Sequence, residues 1–263
     1  MRENDMRENL ANPRRGSARK PLEYLFAKYK AQGTITHVES VTPTMKSIRI
    51  HSEELGKLPY TPGQHVRIEI NDPLSIYGIF RPVETLRSYT IWDYAPTAKT
   101  FELRAHLYDG EGIGLTWARD AKPGDEVTYW GPQGDFVTGD APYHLFIGEE
   151  TATVAFGAMI RGLDARERVY GLLESESAAD ELPVPGEHRL HRVYREGAPA
   201  LSSPTLLSAL TTLNLPDTPG AAYIAGEART CQAVRDHLVR ERDWPRDAIT
   251  VKPFWTPGKR GLH

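Results

Sequence analysis

Arg87-Ser88-Tyr89-Thr90 is the part of this 263-residue sequence that says most about its architecture. In a β-strand alternate side chains share one face, so Arg87 and Tyr89 would lie on the same side. An arginine can bind a phosphate group, a tyrosine ring can stack on a planar cofactor, and hydroxyls can bond its polar edge. These are the contacts that a flavin dinucleotide needs. The same four residues would also suit a half-exposed strand that binds no ligand.

A glycine-rich segment follows that strand at residues 112–118, with the sequence Gly-Ile-Gly-Leu-Thr-Trp-Ala. Two glycines permit a tight turn, and a helix beginning at Leu115 or Thr116 would direct the positive end of its dipole at a phosphate. The alternative is a glycine turn that enters a packed helix, with Trp117 in the core. Together with the preceding strand, the segment predicts bound FAD. The predicted FAD contacts in this part of the chain are Arg87, Ser88, Tyr89, Thr90, Gly112, Gly114, Leu115, Thr116 and Trp117.

Alternating polar and apolar residues on both sides of these motifs predict β-strands. Pro62-Gly63 and Pro123-Gly124-Asp125 supply turn chemistry between them. The sequence therefore predicts a six-stranded antiparallel FAD-binding β-barrel over residues 34–140. The predicted strands lie near 35–41 and at 46–51, 65–70, 88–92, 100–107 and 126–130.

Two segments do not fit the strand pattern. Residues 1–33 are predicted to be a flexible N-terminal arm, because the first twenty are polar and Arg-rich and contain a direct repeat of Met-Arg-Glu-Asn. Within that arm, the apolar spacing of residues 21–32 predicts a short amphipathic helix. Residues 72–84 are predicted to be a loop or an insertion.

After Pro142 strand-like and helix-like segments alternate, which is typical of a parallel sheet with helices on both faces. We predict a Rossmann-like, nicotinamide-binding α/β domain over residues 141–263, with the boundary near 139–142. The predicted strands are 143–147, 168–173, 190–194, 221–225 and 249–254, and the predicted helices are 150–163, 201–213 and 229–242.

Glycines at two strand ends of this second domain predict where a nicotinamide nucleotide would bind. Gly148 precedes Glu149 and Thr151, and we expect Thr151 to cap the next helix. Gly226 and Glu227 repeat this arrangement at a later strand end. The predicted nicotinamide contacts are Gly148, Glu149, Thr151, Gly226 and Glu227, and Thr151 is also a predicted FAD contact. The alternative at both places is a plain strand–helix turn.

The C-terminal residues offer further site candidates. Phe254 and Trp255 are predicted to cover the flavin, while Lys259 and Arg260 are predicted to bind an anionic substrate. A buried last strand and a solvated terminus are the alternatives. His106, whose strand leads into the glycine segment, is either another FAD contact or a structural histidine.

Composition excludes several classes of function. With 32 Lys+Arg against 35 Asp+Glu, the net charge of −3 argues against nucleic acid as the partner. A single cysteine, Cys231, cannot form an internal disulfide or a cysteine-ligated zinc or iron–sulfur centre, so redox chemistry requires a bound organic cofactor or a metal brought by the substrate. No resident metal is expected. There is no apolar run of membrane-spanning length and no secretory signal core, so we expect a cytoplasmic protein without membrane partners.

Taken together, these segments resemble the siderophore-interacting protein family, a branch of the ferredoxin–NADP reductase-like flavoproteins. The resemblance extends from about Thr34 to Gly258. The matching residues, in order, are 87–90, His106, 112–118 with Trp117, 123–125, Gly131-Pro132, 148–152, 225–228, Phe254-Trp255 and Gly258. Leu115 stands where the family pattern has a serine, and Trp92 and Asp93 stand where many members have a second arginine.

The resemblance implies that the chain binds FAD and reduces ferric siderophores with electrons from NADPH, NADH or ferredoxin. Two other readings stay open: a flavin reductase that serves a biosynthetic partner enzyme, and a flavin- or siderophore-binding protein without reductase turnover. The acidic run Glu174-Ser175-Glu176 follows the second predicted strand of the α/β domain. Two carboxylates there would repel a 2′-phosphate and favour NADH, or they would simply form a solvated loop.

Overall fold

The N-terminal half of the chain forms a closed antiparallel barrel. A computed structural model describes residues 29–73, 75–81 and 84–258. Six strands close the barrel in the order β1-β2-β5-β4-β3-β6, which confirms the predicted architecture. The strands are β1 (Lys30–Thr42), β2 (Met45–His51), β3 (His65–Glu69), β4 (Leu86–Ala95), β5 (Thr100–His106) and β6 (Glu126–Gln133).

Apolar side chains from alternate positions fill this barrel. Ile48 and Ile50 of β2 meet Phe101 and Leu103 of β5 in one buried cluster. The first strand begins earlier than predicted, since Lys30 already pairs with Trp130 of β6. The predicted helix over 21–32 is therefore wrong for residues 30–32, and residues 21–28 lie outside the described part of the chain.

Among the residues that the structure describes, two α-helices belong to the barrel half. The predicted loop between β3 and β4 contains a one-turn helix, α1 (Ile76–Phe80). After β5 comes α2 (Ile113–Asp120), which begins two residues before the predicted start at Leu115. Ala118 and Trp117 of this helix pack on the barrel core, so the helix covers one part of it.

The C-terminal half is a five-stranded parallel sheet in the order β11-β10-β7-β8-β9, as predicted for a Rossmann-like domain. The central strand, β7, is the first of these five strands in the sequence. Strands β8 and β9 follow on one side of it and β10 and β11 on the other, so the strand order reverses between β7 and β10. Ligands of such sheets bind outside the carboxyl ends of the strands at this switch point. The elements are β7 (His144–Gly148), α3 (Glu150–Arg161), β8 (Val169–Ser175), β9 (Arg189–Tyr194), α4 (Pro204–Thr212), β10 (Ala221–Glu227), α5 (Ala228–Glu241) and β11 (Ile249–Trp255).

Helix α3 joins the two halves. The indole of Trp92 on β4 packs so closely on Gly157 that a Cβ atom there would lie 2.2 Å from Cζ3 of the ring. Arg161 lies over the same ring, 4.8 Å from its centroid, and pairs with Asp93 at 3.6 Å. Trp92 and Asp93, which depart from the family pattern, therefore hold the sheet against the barrel.

The described helices are between 5 and 14 residues long. Over residues 29–73, 75–81 and 84–258, none of them is apolar and long enough to cross a lipid bilayer.

Candidate functional site

The Arg87–Thr90 strand contacts the glycine-rich segment directly. The hydroxyl of Tyr89 donates a hydrogen bond to the main-chain oxygen of Gly114 at 2.7 Å, and burial raises the pKa of this hydroxyl. A Cβ atom at Gly114 would lie 2.8 Å from Cγ of Arg87. The Tyr89 ring packs beside Trp117, with 5.1 Å between centroids. The two motifs are thus one unit, in which the tyrosine fastens helix α2 to strand β4.

The N-terminus of α2 has the features of an anion site. Gly112 is its N-cap residue and, because glycine has no side chain, it supplies no side-chain cap to the first-turn N–H groups. Helix N-termini carry partial positive charge, and these amides begin beside Arg87. Leu115 is buried, so it can offer a ligand only its main-chain N–H, while Thr116 is exposed. An uncapped helix of this kind fits the pyrophosphate of FAD.

Strand β4 turns its other face away from that helix. Ser88 and Thr90 lie on this outer face, opposite Arg67 and His65 of β3. Burial lowers the pKa of His65 to about 4, and the positive charges of Arg67 and Lys252 add to the effect. Arg67 and Lys252, the latter paired with Asp135 at 3.8 Å, therefore form a cationic edge from both halves of the molecule beside His65. The sequence alternation predicts His65 and Arg67 on a polar face, but nothing local indicates that Lys252 approaches them.

His106 lies at the end of β5, between the halves of the molecule. Burial is the main cause of its lowered pKa, and Glu150 and Arg195 of the sheet half are close enough to influence it. Its ring lies 6.2 Å from that of Tyr108. Tyr108 is 54% exposed and its ring would contact a Cβ atom at Gly110. None of the sequence motifs includes Tyr108, so this exposed aromatic side chain beside the glycine segment was not predicted as a site residue.

At the end of β7, the residue that caps the next helix is not the predicted one. Glu149, not Thr151, is the N-cap residue of α3, because its carboxylate accepts the main-chain N–H of Thr151 at 2.8 Å. The same carboxylate accepts the indole N–H of Trp255 at 2.9 Å. Gly148 serves close packing, since a Cβ atom there would lie 2.6 Å from Cβ of Ala152. Glu149 thus links β7, α3 and β11.

The end of β10 also differs from the prediction. Gly226 has φ +117°, and a Cβ atom there would lie 2.6 Å from Oε1 of Glu149. The group that approaches this glycine is therefore a buried carboxylate of the protein. Glu227 caps α5 by accepting the N–H groups of Arg229 and Thr230 at 3.0 and 2.8 Å. The Glu227 side chain is thus buried in this cap, and its contact with nicotinamide stays a prediction.

A buried ion-pair network occupies the ends of β8 and β9. The guanidinium of Arg195 contacts Glu150 at 2.5 and 2.9 Å and Glu174 at 3.2 Å. Glu176, which is partly exposed, approaches Arg195 at 3.4 Å and accepts the N–H of Gly197 at 2.7 Å. Strand β8 extends through Ser175, beyond the predicted end at Leu173, and Glu174 is buried against Arg195 and Ser203. The alternative of a solvated acidic loop is therefore wrong for Glu174.

The tail residues separate into two groups. Phe254 is partly buried and packs on the apolar cluster around Phe136, with 6.1 Å between ring centroids, and its role in covering the flavin stays a prediction. Trp255 is half-buried and anchored to Glu149, which leaves part of its ring accessible. Lys259 and Arg260 lie outside the described residues. Cys231 is buried in the core of the sheet half.

A closed barrel with an uncapped glycine helix behind an Arg-x-Tyr-Thr strand, joined to a parallel sheet, defines the ferredoxin reductase-like flavoproteins. Comparison with known families agrees and goes further. The Siderophore-interacting FAD-binding domain matches residues 34–136, and the Siderophore-interacting protein family matches residues 141–258. The chain belongs to the siderophore-interacting protein family and contains its FAD-binding domain.

Several named proteins are similar to this chain. The mycobactin import ATP-binding/permease protein IrtA of Mycolicibacterium smegmatis is 27% identical over 89% of the chain, which spans 27% of that protein. The ferric vibriobactin reductase ViuB of Vibrio cholerae is 27% identical over 66% of the chain and 65% of its own length. The crystal structure of the siderophore-interacting protein SipS from Aeromonas hydrophila superposes with a TM-score of 0.74 at 25% identity, over 88% of this chain and 93% of SipS. The chain therefore spans less than two thirds of these two curated relatives.

Proposed function

We propose that this chain is an FAD-dependent oxidoreductase that reduces ferric siderophores with electrons from NAD(P)H. The observation that carries the proposal is the contact between Tyr89 and Gly114, which holds an uncapped helix N-terminus beside Arg87 within an FAD-binding domain. Membership of the siderophore-interacting protein family supports the choice of acceptor. The reductase named for ferric vibriobactin among the relatives supports the type of reaction.

The protein's part in such chemistry is positioning and electrostatics. When bound, FAD supplies the capacity to accept a hydride and to release electrons singly. The first-turn amides of α2 and the Arg87 guanidinium would bind its pyrophosphate, because both present positive charge to an anion. Ser88 and Thr90, on the outer face of β4, would bond the polar edge of the flavin ring. Trp255 would shield the ring from the side of the sheet.

The cationic edge suggests how an anionic chelate would be attracted. Lys252 and Arg67 lie near His65 on the surface that adjoins Thr90, and Lys259 and Arg260 follow shortly after β11. Siderophores hold Fe(III) with hard oxygen donors, and a lower charge on the ion weakens those bonds. Positive side chains beside the flavin would therefore bring the anionic ferric chelate to the electron source. These side chains would offer no ligands to the released iron.

The donor would approach the carboxyl edge of the sheet. A nicotinamide nucleotide fits the crevice between β7 and β10, where the strand order reverses. Arg195 is paired with three carboxylates and so does not offer its charge to a 2′-phosphate, which favours NADH over NADPH. A reduced ferredoxin or a partner enzyme, in contrast, would need no such crevice. Steady-state kinetics with each electron donor distinguish these possibilities.

The decisive experiment follows the visible absorbance of the purified protein without oxygen. We expect a yellow, FAD-containing protein that is bleached by NADH and re-oxidised by a ferric siderophore, with stoichiometric ferrous iron trapped by a ferrous-specific chelator. A protein that purifies without flavin and does not bind FAD would contradict the proposal. Bleached protein that is re-oxidised by free flavin but not by any ferric siderophore would identify a flavin reductase for another partner.

The anionic-chelate part of the proposal has its own test. Replacing Lys259 and Arg260 together by glutamine should raise the KM for the ferric siderophore and leave the flavin content unchanged. A matched double replacement on the far side of the sheet half, Arg240→Gln with Arg246→Gln, should change neither. Equal kinetics for both double variants would remove Lys259 and Arg260 from the substrate site.

A further inference from the structure

The carboxylate of Glu149 is a junction between three elements at the carboxyl edge of the sheet. Its Oε1 atom accepts hydrogen bonds from the indole N–H of Trp255 at 2.9 Å and from the hydroxyl of Thr151 at 2.5 Å. Its Oε2 atom accepts the main-chain N–H of Thr151. Gly226 of β10 packs on the same carboxylate, which lies where a Cβ atom of this residue would be. Because Glu149 is only 3% exposed, these contacts rather than solvent fix its position.

We propose that Glu149 is a positioning residue that holds the indole of Trp255 at the mouth of the nicotinamide site, an inference that rests on the function proposed above. Trp255 is the last residue of β11 and stands opposite Glu227 of β10, beside the switch point of the sheet. A half-buried indole that is bonded at its N–H has one preferred orientation. Without that bond the ring would turn on its two side-chain torsions.

The hydrogen bond from the Trp255 indole to Glu149, here called the anchor, depends on this glutamate and on the residues packed around it. Strand β11 reaches Glu149 across 106 residues of sequence, so no local rule places the two side chains together. A residue with a Cβ atom at position 226 would collide with the carboxylate. The glycine at the end of β10 is therefore explained by the carboxylate that holds Trp255, without any ligand against its backbone.

The surroundings of Glu149 make the anchor sensitive to protonation. Burial, and next the charge of Glu150 on the same helix, raise the pKa of Glu149 to about 7. Arg195 from the end of β9 is bonded to Glu150 rather than to Glu149. From β10 and α5, Glu227 and the buried thiol of Cys231 lie close by, and both carboxylates raise the pKa of that thiol. An ionised acceptor bonds an N–H more strongly than a neutral acid, so the restraint on Trp255 weakens as the pH falls below neutrality.

The test measures the indole N–H of Trp255 by NMR in the full chain, with and without FAD. The Trp255→Phe variant identifies its resonance among the five tryptophans. We expect this resonance to titrate with a midpoint near the pKa of Glu149. We also expect its protection from solvent exchange, relative to the intrinsic rate of an exposed indole at the same pH, to fall several-fold toward pH 5. In Glu149→Gln the titration should disappear. In the matched control Glu227→Gln, which changes the other buried cap carboxylate but keeps Glu149 as the acceptor of the indole N–H, the titration should remain.

Kinetics supply a second readout. If Glu149 acts through Trp255, then Glu149→Gln and Trp255→Phe should each lower kcat/KM for NADH by about tenfold, and the double variant should lower it no further. Additive losses, or an indole resonance that is the same in the wild type and in Glu149→Gln, would overturn the proposal. Should Glu149→Gln fail to fold, the pH dependence of indole exchange in the wild type decides alone. A chain that keeps the titrating indole but is reduced by neither NADH nor NADPH would refute the proposed function and leave the contact between Glu149 and Trp255 standing.

Discussion

Trp92 of the barrel and Gly157 of helix α3 are in direct contact, with no space between them for even a methyl group. The guanidinium of Arg104 covers the other side of the indole, 3.6 Å from its centroid. Trp92 is thus enclosed by both halves of the molecule. The contact fixes how the carboxyl end of β7 faces strand β4, and hence how a nucleotide would face a flavin.

Gly157→Ala should loosen this contact. A Cβ atom 2.2 Å from the indole forces the ring or the helix to move, and overpacking of this kind costs about 1–3 kcal/mol. We expect a lower Tm by thermal unfolding and slower flavin reduction by NADH. Gly139→Ala is the matched control, because a Cβ atom there has no neighbour within 4 Å and the N–H bond to Tyr223 is kept. An equal Tm for the two variants would show that the interface accommodates the added methyl group without a loss of stability.

Tyr89→Phe should weaken FAD binding without unfolding the barrel. The change removes the hydroxyl that fastens α2 to β4 and leaves the carbonyl of Gly114 without that donor, at a cost of about 1 kcal/mol. We expect the Kd for FAD to rise about fivefold in a titration of the apoprotein. Tyr60→Phe, which removes a hydroxyl bond to Ile91 elsewhere in the barrel, should leave the Kd unchanged.

The fold could be predicted because its signals are local. Alternation with period two reports strands, and strand–helix alternation reports a parallel sheet, so both architectures follow from short windows of sequence. The start of β1 shows the limit of this reasoning. The apolar spacing of residues 21–32 predicts a helix, yet residues 30–32 belong to β1, because pairing with β6 decides their conformation.

The candidate site was predictable only in part. Arg87, Tyr89 and Gly114 were expected together, since two adjoining motifs carry them. The contacts of Glu149 with Trp255 and of Arg195 with Glu150 join strand ends that are far apart in sequence. A strand-end glutamate looks the same in sequence whether it faces a ligand or caps its own helix. Burial and the positions of the N–H groups decide between these roles.

Glu149 also gives the stability of the protein a pH dependence of known sign. Its pKa in the folded state, about 7, lies above the ordinary value of 4.5, so between these values the folded state binds more protons than the unfolded state. The free energy of unfolding should therefore fall as the pH rises from 4.5 to 7, by at most about 1.4 kcal/mol per pH unit from this group.

Urea unfolding across this range checks the expectation. In Glu149→Gln the downward slope should flatten, whereas Glu227→Gln should keep it, because the cap of α5 lowers the pKa of Glu227 and places its effect at more acid pH. A slope that is the same in the wild type and in Glu149→Gln would mean that Glu149 ionises normally.

We expect the choice of nucleotide to depend on the charges at the ends of β8 and β9. Glu150, Glu174 and Glu176 surround Arg195, so this corner carries three negative charges against one positive charge. A 2′-phosphate adds roughly −1.5 to −2 at neutral pH and would be repelled there. We expect kcat/KM to be at least about tenfold higher for NADH than for NADPH.

Glu176→Gln tests the cause of that preference. The amide oxygen can still accept the N–H of Gly197, so the loop is kept while one charge facing Arg195 is removed. The ratio of kcat/KM for NADPH to that for NADH should rise several-fold and should fall again with added salt, since part of the effect is screened attraction. Glu241→Gln, an exposed change at the end of α5, should leave the ratio unchanged. If the wild type instead prefers NADPH, the phosphate must bind away from Arg195, and the buried network is then structural.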